Sequence, residues 1–395
     1  MMKNFEYYAP TKVIFGKGKE NEVGAIVAGY GFKKVMIHFG GGSAKRTGLL
    51  DRLEESLKAA GVDYVEFGGV QPNPKLSLVR EAIKVCAAEG VDMILAVGGG
   101  SVIDSAKCVG AGAADLSVDP WLYLNRDKNV TKTLPIGVVL TLSASGSEMS
   151  SSCVITNEDG WLKRSFNSDL SRPIFAICNP ELTYTVNKFQ TGCGTVDIMM
   201  HTLERYFGTD GEAPLTDRLA EGLVKEVIAA GHVADQNPED YEARATLMWA
   251  GSLSHNSLTG LGRDYFMTAH QIEHELSGMF DQVAHGAGLS VLFPAWCRYI
   301  YKYAVPRFCQ YAVRVWNIEM DFDHPEKTAL AGIQATEEYF RSLGMPTRMR
   351  ELGIDPTEAE IDEMAEKATF FGKRIMPDYI PVGKKEIIEI IKEAY

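Results

Sequence analysis

Asp197 and His201 stand four residues apart in GTVDIMMHTLERYF, and His270, His274 and His285 follow in AHQIEHELSGMFDQVAHGAGL. An Asp and a His at that spacing project from one face of a helix, so both can reach one ion. Asp197 lies in an apolar run (Val196, Ile198, Met199, Met200), and a buried carboxylate is costly unless it is paired or metal-bound. The later segment gathers three imidazoles within sixteen residues of a chain that has eight. One carboxylate with three imidazoles makes a mixed N/O set that suits Fe(II) or Zn(II) with a position left for substrate. Calcium or magnesium would want more oxygen ligands.

Upstream, Gly98-Gly99-Gly100-Ser101 follows an apolar run and opens a helical pattern that includes Asp104. Glycines there let the backbone approach a diphosphate, and a helix N-terminus offers free N–H groups. A second cluster, Gly40-Gly41-Gly42-Ser43, ends the run Val35–Phe39. In dinucleotide sites an acid near such a position accepts the ribose 2′-OH and repels a 2′-phosphate. None is present here, and Lys45-Arg46 follow, so the loop predicts NADP over NAD. A third loop, TLSASGSEMS, places Thr141, Ser145 and Ser150 after another apolar run, which suits ligand contact or simple capping. A metal and a dinucleotide in one chain suggest hydride transfer at a metal-polarised carbonyl.

These residues need elements to hold them. Strand-like runs are Val35–Phe39, Tyr64–Phe67, Met93–Val97, Ile136–Thr141 and Ile174–Ile177, with helical periodicity between them at Leu49–Ala60 and Leu76–Ala88. That alternation predicts βαβ units, hence a Rossmann-like α/β domain with a parallel sheet over 1–185. Asn179-Pro180 and the turn-rich stretch after it mark the boundary. Apolar residues at three- and four-residue spacing then predict an all-α domain over 186–395, with helices in Val196–Phe207, Thr216–Ala230, Tyr241–Leu258, Tyr265–Met279 and Thr328–Leu343.

A chain of 395 residues suggests two domains. A net charge of −12 without a basic stripe argues against nucleic acid or an anionic membrane as partner. No apolar stretch reaches the roughly 18 residues of a membrane helix, and the start lacks a secretory apolar core. Seven scattered cysteines, none in a C-x-x-C pair, indicate neither a zinc ribbon nor a disulfide framework, so the cytoplasm is expected.

His270-Gln271-Ile272-Glu273-His274 also matches H-x-x-E-H, an inverted zinc-peptidase motif with Glu as base. That reading leaves Asp197, His201 and the glycine loops without a role. Taken together, PTKVIFGKG, HFGGGSAKRTG, QPNPKLS, GGGSVIDSAK, TLSASGSEMS, NPELTYT, DIMMHTLERY and the histidine segments resemble the iron-containing (group III) alcohol dehydrogenases over nearly the full length. Within that family they are most like the NADPH-dependent butanol dehydrogenase and aldehyde reductase branch.

The resemblance implies a dehydroquinate synthase-like two-domain architecture with cofactor and substrate in the cleft between the domains. It implies Asp197, His201, His270 and His285 as metal ligands, Fe2+ or alternatively Zn2+, and moves His274 beside the nicotinamide as the catalytic candidate. Gly99, Gly100, Ser101 and Asp104 match the pyrophosphate loop; Thr141, Ser145 and Ser150 match the hydroxyl-rich segment. Pro72 and Asn73 match the adenosine side, and Lys163 and Leu182 match the cofactor cleft. Gly40–Ser43 stand where NAD-preferring relatives carry aspartate. The implied reaction is NADP(H)-linked interconversion of a small aldehyde and its primary alcohol, by a homodimer. Two departures stand out: the His270–His285 spacing is one residue longer than in the family, and position 145 is Ser where many members have Thr. Competing readings are a dehydroquinate synthase-like lyase, whose polyanionic substrate calls for clustered Lys and Arg, a glycerol dehydrogenase-like enzyme, and a metal-stapled nucleotide-binding protein without catalysis.

Overall fold

The structure, a computed structural model, describes residues 1–395. The chain forms two compact units, Tyr8–Thr185 and Met1–Tyr7 with Val186–Tyr395.

The first unit is built on a six-stranded parallel sheet. Its strands are β1 (Lys12–Phe15), β2 (Lys34–Gly40), β3 (Asp63–Val70), β4 (Met93–Gly98), β5 (Ile136–Leu140) and β8 (Phe175–Cys178), in the order β1-β8-β5-β4-β2-β3. β4, MILAVG, is buried at every position, as a strand covered on both faces must be. The connecting helices are α1 (Val23–Gly29), α2 (Ser43–Arg46), α3 (Leu49–Ala59), α4 (Leu76–Glu89), α5 (Gly100–Ala114) and α6 (Trp121–Leu124). In α3, Leu49, Leu50, Leu53 and Leu57 form the buried stripe.

All five predicted strands are present. Three strands went unpredicted: β1, parallel to β8, and the antiparallel hairpin of β6 (Ser152–Asn157) and β7 (Leu162–Asn167) outside the main sheet. The sheet reverses direction at β2. β3 lies on one side and β4 on the other, so the Gly40–Ser43 and Gly98–Ser101 loops leave neighbouring strands, where open α/β sheets bind ligands.

The second unit is helical: α7 (Lys188–Tyr206), α8 (Pro214–Gln236), α9 (Tyr241–Ser254), α10 (Thr268–Met279), α11 (His285–Ile300), α12 (Val305–Trp316), α13 (Pro325–Ser342), α14 (Glu358–Ala368) and α15 (Lys384–Glu393). Short capping signals set their starts. Asn187 accepts from Gln190 N, Asp240 from Ala243 N, and Thr357 with Glu360 forms a capping box. Against the all-helical expectation, a two-stranded pair of two residues each joins Met376–Pro377 to Pro381–Val382. Helix α7 is buried from Thr191 to Tyr206 on every face, so any polar side chain it carries inward needs a partner. Lys3 ties the N-terminal residues to this unit through Asp210 and Asp264. No helix is long and apolar enough to cross a membrane.

Candidate metal centre and nucleotide loops

Asp197, His201 and Glu204 occupy positions i, i+4 and i+7 of α7, one stripe of that buried helix. His270, Glu273 and His274 form a second stripe on α10, and His285 is the first residue of α11. The side chains converge. Asp197 Oδ1 lies 3.3 Å from His201 Nδ1, 3.6 Å from His270 Nε2 and 3.7 Å from His285 Nε2. Asp197 Oδ1, His201 Nδ1 and His270 Nε2 are buried without a hydrogen-bond partner.

Ligand atoms about 2.1 Å from a tetrahedral ion stand about 3.4 Å from one another. Three imidazole nitrogens at 3.3–3.7 Å from one orphaned carboxylate oxygen therefore match the edges of such a shell. Asp197, His201 and His270 bring one donor atom each within 4.8 Å of one another, a set that fits a divalent transition metal, and His285 Nε2 lies 3.7 Å from Asp197 Oδ1.

The other ring nitrogens of His270 and His285 are occupied. His270 Nδ1 donates to Glu204 and His285 Nδ1 to Glu273. Burial opposes a charge on His270, yet Glu204 and Asp197 outweigh it and raise its pKa to about 9. His201 moves the other way: burial, with His255 beside it, holds it well below the ordinary histidine range. Its ring lies 4.0 Å from that of His255, centroid to centroid. His274 is nearly buried, with its ring 5.7 Å from the ring of His285. Glu273, His274 and His285 also bring one donor atom each within 4.8 Å, but Glu273 spends an oxygen on His285 Nδ1.

In the other unit the nucleotide candidates divide by role. Helix α5 starts at Gly100 after Gly99, and no side chain caps it, which leaves its first N–H groups for an anion. A Cβ on Gly100 would lie 2.2 Å from Ser145 Oγ, so the Gly98–Ser101 loop and the hydroxyl-rich loop touch only because position 100 is glycine. Asp104 turns away from that end: it accepts from Ser147 Oγ and from Val154 N. Lys107, wholly buried, donates to Ser147 Oγ, Ser150 O and Ser152 O. Burial lowers its pKa to about 8, with Asp104 pulling the other way. Asp104 and Lys107 thus clamp the hydroxyl-rich loop and the hairpin to α5. Thr141 N bonds Gly98 O, Ser145 Oγ accepts from Ser147 N, and Ser150 Oγ accepts from Ser152 N.

Lys163, on β7, donates to Asn73 Oδ1 at 3.0 Å, so two candidates from distant segments meet; Pro72 beside them is exposed and Leu182 packs on the sheet's core. At the Gly40–Ser43 loop, Lys45 is 4.0 Å from Glu66 on β3. The neighbouring Glu54 carboxyl raises the pKa of Glu66.

Three participants escaped the sequence reading. Glu204 shares a helix face with Asp197 and His201, a spacing that could have revealed it. Glu273 was weighed only as a peptidase base, and Lys107 looks like an ordinary surface lysine of a helix. The lysine–arginine cluster a polyanionic substrate would need is absent near the imidazoles: Arg205 donates to His201 O and Ser254 O, and Arg263 pairs with Asp217.

The profile described as "Iron-containing alcohol dehydrogenase" matches residues 10–180, and "Fe-containing alcohol dehydrogenase family, C-terminal" matches residues 191–395. NADH-dependent butanol dehydrogenase A of Clostridium acetobutylicum is 41% identical over 395 residues, covering 100% of both chains. NADPH-dependent aldehyde reductase YqhD of Escherichia coli is 37% identical, covering 90% of each. The crystal structure of NADH-dependent butanol dehydrogenase A from Thermotoga maritima superposes with a TM-score of 0.95 at 36% identity, over 100% of this chain and 99% of that one. Both halves of the chain, with the sheet and the helical unit each where the family has them, belong to the iron-containing alcohol dehydrogenase family.

Proposed function

We propose that the protein interconverts small primary alcohols and aldehydes, butanol and butyraldehyde among them, using NADP(H) and one divalent ion held by Asp197, His201, His270 and His285. The observation that carries the reading is the set of three imidazole nitrogens around the unpartnered Asp197 Oδ1. Iron is the proposed ion and zinc the alternative, since both accept one carboxylate with three imidazoles. Bound, the ion supplies Lewis-acid polarisation of the substrate oxygen, and the dinucleotide carries the hydride.

The chain's own residues do the rest. The uncapped start of α5 receives the diphosphate, and the Asp104–Lys107 clamp holds Ser145 and Ser150 over it. His274, beside the ring of His285, orients the nicotinamide or passes a proton through its imidazole. The NADPH preference is supported by the acid-free Gly40–Ser43 loop with Lys45 and Arg46 beside it. The names of the relatives lean the other way: the Clostridium and Thermotoga enzymes are named NADH-dependent, and the less similar Escherichia reductase NADPH-dependent. A homodimer is proposed on the resemblance alone.

The test is NADPH oxidation with a panel of short aldehydes, with ferrous or zinc ion supplied anaerobically. We expect turnover that a chelator abolishes. His270→Ala should empty the site and lower turnover about 10³-fold or more, the loss of several kcal/mol of charge stabilisation. His274→Ala should slow turnover with metal content intact. Absence of NADPH consumption with every aldehyde would sink the reading; an emptied metal site in His274→Ala would overturn the ligand set.

A further inference from the structure

Two glutamates outside the ligand set, Glu204 and Glu273, have side chains with 0% exposure. Burying a carboxylate so completely is costly unless a partner answers it. Each has the same partner, the Nδ1 of a histidine whose Nε2 faces Asp197 Oδ1. A carboxylate only accepts, so Nδ1 carries a proton, and Nε2 is the nitrogen left to offer a lone pair to an ion at the shared centre.

The backbone reinforces both contacts. Glu204 also accepts from Ala269 N at 2.8 Å, so it fixes the first turn of α10 together with the ring that helix presents. Glu273 is pressed against α11 at Gly288, where a Cβ would lie 2.9 Å from Glu273 Cγ. His201 differs: its ring abuts His255, and Arg205 takes its carbonyl.

We propose that Glu204 and Glu273 are positioning residues that set metal affinity by locking the Nδ1–H tautomer and ring orientation of His270 and His285, an inference that rests on the ligand reading above. Outer carboxylates of this kind change metal affinity about 10–100-fold when removed.

The test is Zn2+ affinity of the stripped full-length protein, read by competition with a chromogenic chelator, alongside far-UV circular dichroism. Glu273→Ala should bind Zn2+ about 10–100-fold more weakly. Glu273→Gln, whose amide oxygen still accepts from Nδ1, should fall between it and the wild type, and Glu204→Gln should behave likewise. The glutamine variants decide the matter if the alanine variant fails to fold. A His270→Ala control separates two failures. If it binds Zn2+ as the wild type does, the ligand reading falls and takes this inference with it. If it loses Zn2+ while folded Glu273→Ala, or Glu273→Gln in its place, keeps wild-type affinity, the ligand reading stands and this inference is overturned.

Discussion

The nucleotide loops and the imidazole cluster treat buried polar atoms in opposite ways. Around α5 the polar groups answer one another: Lys107 satisfies a hydroxyl and two carbonyls, and Asp104 a hydroxyl and a backbone N–H. What is left free there is mainly backbone, the uncapped helix start between glycines, with the one hydroxyl of Ser143. Around α7 the inward atoms Asp197 Oδ1, His201 Nδ1 and His270 Nε2 are left unanswered, while the outward nitrogens of His270 and His285 are tied down. One region offers chiefly backbone N–H groups; the other offers side-chain lone pairs. A backbone cradle suits an anion, and converging lone pairs suit a cation.

The contrast breaks hardest at Lys107. Lys107→Met keeps the length of the side chain but strands Ser150 O, Ser152 O and the Asp104 charge in the interior. We expect about 3–5 kcal/mol lost from the first unit, the usual result of breaking a buried ionic network. Urea unfolding and dinucleotide titration should both register it, with metal content unchanged. Unaltered dinucleotide affinity would mean that the clamp has no bearing on the loop.

Acid should separate the units next. His38 on β2 is wholly buried, with Nδ1 donating to Phe67 O at 3.0 Å and Nε2 accepting from Ser105 Oγ at 2.8 Å. Burial pushes its pKa down to about 4, while the unfolded chain titrates near 6.5. The unfolded state therefore takes up the proton first. Stability is complete above about pH 6.5 and about 3 kcal/mol is lost as pH falls to about 4. In the helical unit, burial works against the Asp217 charge, but Arg307 and Arg263 hold its pKa at about 2. Its contribution, about 2 kcal/mol, is complete above about pH 4 and lost only below that. Between pH 6.5 and 4.5 hydrogen exchange in the metal-loaded protein should accelerate in β2 before α8. Equal acceleration in both would contradict the assignment.

What was legible in the sequence follows the same division. Glycine loops announce themselves because only glycine permits the approach, as at Gly100 against Ser145. Asp197 announced itself as a carboxylate among apolar neighbours. The partners of these residues were harder to see, because a buried Glu204 or Lys107 has the same letter as a solvated one. Helix α11 escaped notice because it is apolar on every side, which erases the 3.6-residue contrast, and it carries Pro294. The β6–β7 hairpin holds Lys163 and Arg164 buried in β7, against the usual pattern of a strand. Glu273 misled through its own motif. Read along the chain it belongs with His270 and His274; in space it belongs to His285.

The smallest effect tests the nucleotide side most selectively. Within the Gly40–Ser43 loop the three glycines differ. A Cβ on Gly40 would meet Val70 O at 3.3 Å, and Gly42 has φ +108°, but Gly41 has neither a close neighbour nor a left-handed backbone. Gly41→Asp therefore adds a carboxylate at the end of β2 without strain, and exposed substitutions of this kind change stability by only about 0.5 kcal/mol. If the loop faces the ribose, that carboxylate gains a hydrogen bond from a 2′-OH and repels a 2′-phosphate. The ratio of kcat/KM with NADPH to that with NADH should fall about tenfold or more, roughly 1.4 kcal/mol, mainly through KM and with metal content constant. Lys45→Ala should move the ratio the same way by less, because Lys45 is exposed and already shared with Glu66. An unchanged ratio in Gly41→Asp would detach this loop from the ribose, and the acid-free strand end would lose its meaning for cofactor choice.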